Sequence, residues 1–171
     1  MRLDIMLATV AATLLSVAPN SRAETKGKPA TPAEPAFDAK LEFRWFEAYS
    51  QALAQVQRSQ KPMLIEFTGS TWCPPCKIMK RYVFDTDEFK TWAAQHVVAL
   101  KIDLDRQFRP TVKSAKDKAI HSKLLRTLRI EGVPTVYFIG TDGSILGKSQ
   151  YTGQRAEQWI AGVQKFIKST P

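Results

Sequence analysis

"STWCPPCKIMK", residues 70–80, contains both cysteines of the 171-residue chain, Cys73 and Cys76. Two cysteines three positions apart can be a structural staple, part of a metal site or a working redox couple. A disulfide closing so short a loop removes little entropy from the unfolded chain, because the gain grows with the logarithm of loop length. Zinc and iron–sulfur centres take about four ligands, and beyond this pair there are two scattered histidines, His96 and His121. Each reads as a surface or capping histidine rather than a ligand. Two soft thiolates alone can hold Cu(I), so metal handling stands beside redox chemistry on this evidence.

The redox reading has a direct physical basis. Pro74 suits the first position of a helix, where a missing N–H costs nothing. Cys73 then falls at the N-cap, where the positive end of the helix stabilises a thiolate. Cys76, one turn on, shares that face and can attack a mixed disulfide formed at Cys73. Pro75 takes the second helical position and lacks an N–H that could donate to the Cys73 sulfur. A less stabilised thiolate means a less stabilised reduced form, which argues against a strong oxidant and towards a reductase or isomerase.

Upstream, "MLIEF" (63–67) is a short apolar run of the kind that forms a strand covered on both faces, and Thr68-Gly69-Ser70 follows as a loop. Before it, "RWFEAYSQALAQVQRSQ" spaces Trp45, Tyr49, Ala52, Leu53 and Val56 at helical intervals, ending at Lys61-Pro62. Downstream of Pro74 the helical pattern carries Ile78, Met79 and Tyr82, and "DTDE" pairs Asp85 with Glu88 as a capping box restarting a helix. "VVALKID" is a second strand. Ser114 to Leu128 reads as a helix with Ile120, Leu124, Leu125 and Leu128 as its apolar stripe. "PTVYFIG" and "SILGKSQY" flank the hairpin signal Thr141-Asp142-Gly143, and "QRAEQWIAGVQKFIK" closes the chain as a helix. The order is helix, strand, helix, strand, helix, strand, strand, helix. It predicts an α/β domain: a central mixed sheet with helices on both faces, spanning residues 37–171.

The N-terminus has a different character. After Arg2, an apolar run from Ile5 to Ala18 precedes "PNSRA", with small Ser21 and Ala23 placed for a cut before Glu24. This predicts a secretory signal peptide over residues 1–23 and export to an oxidising compartment, most simply a bacterial periplasm. As an uncleaved membrane anchor the run is short, about 21 Å of helix against roughly 30 Å of hydrocarbon. Residues 24–36, "ETKGKPATPAEPA", read as a flexible linker.

The chain is basic, with a formal net charge of +9. Much of the excess lies between Asp105 and Arg129, including Arg106, Arg109, Lys118, Lys123 and Arg126. That segment is either a solvated helix face or a surface suited to an acidic protein or anionic lipid heads. Nucleic acid is not expected, since no recognisable binding motif is present.

"FTGSTWCPPCK" after an apolar strand, with "GVPTVYFIGTDG" about sixty residues later, resembles the thioredoxin-like superfamily. The resemblance is especially to exported bacterial members with an FTGS-type lead-in to the W-C-x-x-C-K motif, and it covers roughly residues 41–168. It implies a thioredoxin fold and thiol–disulfide exchange without a cofactor or metal. Cys73 would be the exposed attacking thiol and Cys76 the buried resolving one. Pro134 matches the family's cis proline, the Val133 backbone would pair with a substrate segment, and Trp72 matches its docking aromatic. Glu66 falls where thioredoxins carry a buried proton-accepting acid, one residue further from the motif and as Glu rather than Asp. The implied partners are protein thiols and disulfides and a separate protein that recharges the dithiol. A Cu(I) carrier and a redox-inert binding module remain the rival classes.

Overall fold

The run Met63–Thr68 forms a strand, β2, buried along its whole length, because it lies at the centre of a five-stranded sheet. The computed structural model describes residues 42–167; the expected signal peptide (1–23) and linker (24–36) lie outside the described residues. In chain order the elements are β1 (Trp45–Phe46), α1 (Tyr49–Ser59), β2, α2 (Pro74–Met79), a π-helical turn (Lys80–Phe84), α3 (Asp87–His96), β3 (Val98–Asp103), α4 (Ala115–Thr127), β4 (Thr135–Ile139), β5 (Ile145–Gln150) and α5 (Ala156–Ile167). The sheet order is β1-β3-β2-β4-β5. β3 runs parallel to both β1 and β2, whereas β4 is antiparallel to β2 and to β5. The mixed sheet expected from the element order is therefore present.

Alternation along β2 divides the core in two. Met63, Ile65 and Phe67 face one cluster with Ala52 and Val56 of α1 and Leu128 at the end of α4. Leu64 faces the other, with Met79, Phe89, Trp92, Trp159 and Val163 from α2, α3 and α5. The second cluster is held by aromatic edges: Trp159 lies 5.7 Å from Phe84 and 5.9 Å from Phe89, both T-shaped. Each such pair contributes about 0.5–1.5 kcal/mol beyond the area it buries.

Four local expectations change. Trp45 is not in the first helix; it begins β1, paired with Ala99 of β3, and its ring packs on Phe84. The apolar spacing around Trp45 fits a helix, but an edge strand beside β3 satisfies its backbone as well as its ring. The cap of α3 is Thr86, whose hydroxyl accepts the Phe89 N–H at 3.2 Å. Asp85 instead ion-pairs with Lys80. Ile78 is 46% exposed, because Cys76 and Met79 set the inward face of α2 and Ile78, two residues after Cys76, points about 200° away from it. Finally, α4 buries Asp117 and His121 more deeply than Leu124 or Leu125.

Those two polar residues face inward for different reasons. Asp117 Oδ1 accepts the backbone N–H of Tyr49 at 3.1 Å, capping α1, whose own N-cap residue Ala48 has no side chain to do so. His121 is 1% exposed with neither ring nitrogen hydrogen-bonded. It is a core residue, not the surface or capping histidine its lysine-rich surroundings suggest, and burial holds its pKa below the ordinary value. His96 does sit at a helix end, its Nδ1 2.7 Å from the Trp92 carbonyl. The Gly140–Ser144 hairpin closes as expected, with Gly143 at φ +85°, which glycine adopts without a Cβ clash.

Candidate active site

β2 ends at Thr68, and the chain turns tightly before α2. The Gly69 carbonyl accepts from both Trp72 N and Cys73 N. The close approach of the indole requires a glycine here: a Cβ on Gly69 would lie 2.5 Å from Trp72 Cε2. Ser70 ties the turn to the neighbouring strand, its N–H and hydroxyl both donating to the Asp103 carboxylate, at 2.8 and 2.5 Å. Asp103 pairs with Thr68 in the β2–β3 register, so the loop is fixed from the strand end beside it.

This turn presents Cys73 as the N-cap of α2, with Pro74 and Pro75 in the first two helical positions. The first free amide of the helix is that of Cys76, which donates to the Cys73 sulfur at 3.2 Å. The two cysteines form a disulfide with their Cα atoms 5.3 Å apart. Cys73 is 3% exposed and Cys76 1%. The expected contrast between an exposed and a buried sulfur is therefore absent in the oxidised chain, because the loop before β4 covers Cys73. The Val133 carbonyl oxygen lies 3.6 Å from Cys73 Sγ, the Val133–Pro134 peptide bond is cis, and Pro134 is buried. The Thr135 hydroxyl donates to the Gly132 carbonyl and holds that loop.

Trp72 is half-buried. Its Nε1 donates to the Leu104 carbonyl at 2.8 Å, Phe108 packs against its ring at 6.1 Å, and the Arg106 guanidinium lies 6.0 Å over it. The indole thus joins the cysteine loop to the segment after β3. Lys77 is exposed.

Glu66 lies two residues after Leu64 and faces the same side of the sheet, the side α2 covers. It is 4% exposed. Burial pushes its pKa from 4.5 up to about 7, against the opposing pull of the Thr68 side chain and the Lys101 charge; Asp103 adds to the rise and Lys80 opposes it. Lys101 is its register partner on β3, and its Nζ is 3.1 Å from Glu47. A carboxyl tuned to about 7 can take up and release a proton near neutrality.

The structure therefore brings Cys73, Cys76, Val133 and Pro134 together, places Trp72 next to Cys73 and buries Glu66 on the sheet face that α2 covers. Gly69, Asp103 and Lys101 escaped the sequence reading. Gly69 was visible as a glycine directly after a strand, but the indole it accommodates was not. Among the described residues no three His, Cys, Asp or Glu side chains gather as a metal would need.

The same architecture is found in known proteins. Residues 49–165 match the family model described as a thioredoxin-like domain, and the chain belongs to that family. It is 24% identical over 131 residues to the disulfide bond reductase DsbH of Chlamydia pneumoniae, covering 76% of each chain. It is 33% identical over 104 residues to the thiol:disulfide interchange protein DsbD of Salmonella typhimurium, covering 61% of this chain but only 16% of that protein. A solved structure titled DsbH oxidoreductase superposes with a TM-score of 0.66 at 23% identity, over 84% of this chain and 95% of that one, a likeness of fold.

Proposed function

We infer that the chain is an exported thiol–disulfide oxidoreductase that reduces or isomerises disulfides in proteins. The observation that carries this reading is the Cys73–Cys76 disulfide at the start of α2, with the Cys76 amide directed at the Cys73 sulfur. Its relatives named disulfide bond reductase and thiol:disulfide interchange protein support it.

In the reduced protein the Cys73 thiolate attacks one sulfur of a substrate disulfide, forming a mixed disulfide and expelling a substrate thiolate. The Cys76 thiol gives its proton to Glu66 and attacks Cys73 Sγ. That step releases the second substrate thiolate and leaves the enzyme disulfide; two electrons pass from the dithiol to the substrate. In this reading an extended substrate segment pairs with the Val133 backbone beside Pro134, and Trp72 forms the neighbouring contact surface. The Cys73–Cys76 disulfide then needs a separate reductant.

The direction rests on Pro75. With no N–H at that position, the Cys73 sulfur has one helix donor, so the reduced form gains less stabilisation than a strong oxidant requires. The signal-like N-terminus favours a periplasmic setting, and among the described residues no helix is long and apolar enough to cross a membrane. The basic stretch between Asp105 and Arg129 is suited to an acidic partner.

The deciding experiment pairs two single variants. Cys76→Ser should trap mixed disulfides that Cys73→Ser does not form, and both should fail to reduce insulin. Full insulin reduction by the Cys73→Ser chain would overturn the reading, as would tight Cu(I) binding together with an inert dithiol.

A further inference from the structure

A groove of about 670 Å³ opens between the loop Asp105–Thr111 and α4. Its loop wall is tied together by one side chain: the Asp105 carboxylate accepts the backbone N–H groups of Gln107 and Arg109, and Arg109 Nε at 2.7 Å. Leu104 and Pro110 bridge the base of the loop. Asp105 is the groove's one acid, and its charge is already matched by Arg109.

The opposite wall is a stripe along α4, Lys118, Ser122 and Arg126, with Leu125 beside it. Lys118 and Arg126 are exposed and form no ion pair among the described residues. The groove therefore has an uncompensated positive charge over a partly apolar floor of Phe108, Pro110 and Leu125. Phe108 also packs on Trp72, the residue before Cys73, so the groove's floor is joined through one ring contact to the indole next to the disulfide.

We propose that this groove docks an extended acidic segment of the protein whose disulfide Cys73 attacks. The proposal rests on the oxidoreductase reading and names the partner class for that same site. Charge complementarity selects carboxylates, and the apolar floor selects a peptide over a bare anion. Lys118 and Arg126 are eight residues apart, about 12 Å along the helix. A strand advances about 3.3 Å per residue, so the segment presents two carboxylates about four residues apart.

The test uses a labelled, cysteine-free peptide with two glutamates four residues apart, its glutamine counterpart, and fluorescence anisotropy with the oxidised chain at low salt. The glutamate peptide should bind at least tenfold more tightly than the glutamine one, and the preference should fade as salt screens it. Lys118→Ser with Arg126→Ser should abolish the preference, whereas Lys90→Ser with Lys148→Ser, the same charge change outside the groove, should keep it. With a disulfide placed beside the acidic segment, the groove variant should lose about tenfold in kcat/KM through KM, with kcat held. Equal binding of both peptides, equal loss in the two double variants, or binding only to anionic vesicles would overturn the proposal. Failure of the unaltered chain to reduce insulin would instead sink the oxidoreductase reading, whatever the peptide does.

Discussion

The backbone N–H of Cys76 reaches the Cys73 sulfur at 3.2 Å across the first turn of α2, and Pro75 between them contributes none. The stability of the Cys73 thiolate is thus set largely by one amide and the helix end. Pro75→Ala restores an N–H at the second helical position. Hydrogen bonds to charged groups contribute about 1.5–3 kcal/mol, and about 1.4 kcal/mol corresponds to 30 mV for this couple. The variant should be more oxidising by roughly 30 mV or more, read by equilibration in glutathione buffers. An unchanged or more reducing potential would remove Pro75 as the basis for direction.

Glu66 gives a signed pH dependence. Its folded pKa of about 7 exceeds the ordinary 4.5, so the folded chain keeps a proton that the unfolded chain releases between those values. The Glu66 contribution is neutral below pH 4.5 and increasingly destabilising as pH rises to 7, reaching about 3 kcal/mol. Glu66→Gln removes this dependence. Urea unfolding at pH 5 and pH 8 should show the wild type losing about 2–3 kcal/mol of stability relative to the variant, a little having been lost already at pH 5. The variant should also reduce insulin more slowly, without the wild-type inflection near pH 7. A stability difference that is flat with pH would mean the carboxyl is hydrated.

Gly69→Ala places a methyl against the indole of Trp72. Either the ring swings away and loses its bond to the Leu104 carbonyl, or the turn before Cys73 shifts. Overpacking of this kind costs about 1–3 kcal/mol. Lower urea stability together with slower exchange is the expected result, and wild-type values for both would show that the turn accommodates the methyl without consequence.

Asp117 caps a helix distant in sequence. Asp117→Ala leaves the Tyr49 N–H without its acceptor and should lower stability by about 1–2 kcal/mol. Asp117→Asn keeps an oxygen there and should recover most of that loss. Equal destabilisation by the two variants would mean that charge, not the hydrogen bond, is what the site requires.

Much of the site was legible because thiol chemistry is written at fixed spacing. Cys73, Pro74, Pro75 and Cys76 define a helix start locally, and a helix start depends on a few consecutive residues. The buried strand around Glu66 was equally legible as a run of apolar side chains. What the local pattern could not give was direction of burial. Trp45 and Ile78 fit a helical period, yet Trp45 joins an edge strand and Cys76 and Met79 claim the inward face of α2, leaving Ile78 outside. His121 sits among lysines in sequence and inside the core in space, because the lysines occupy the other side of α4.

By itself the sequence determined the α/β order of elements, the dithiol at the head of α2 and the hairpin at Gly143, each a matter of neighbouring residues and backbone preference. Only the tertiary structure decided that Val133 lies against Cys73, that Asp103 clamps Ser70, that Asp117 caps α1 and that burial pushes the Glu66 carboxyl up to about 7. These are contacts between residues far apart in the chain or consequences of burial. Both arise when the sheet closes and water leaves, and neither is carried by any short stretch of sequence.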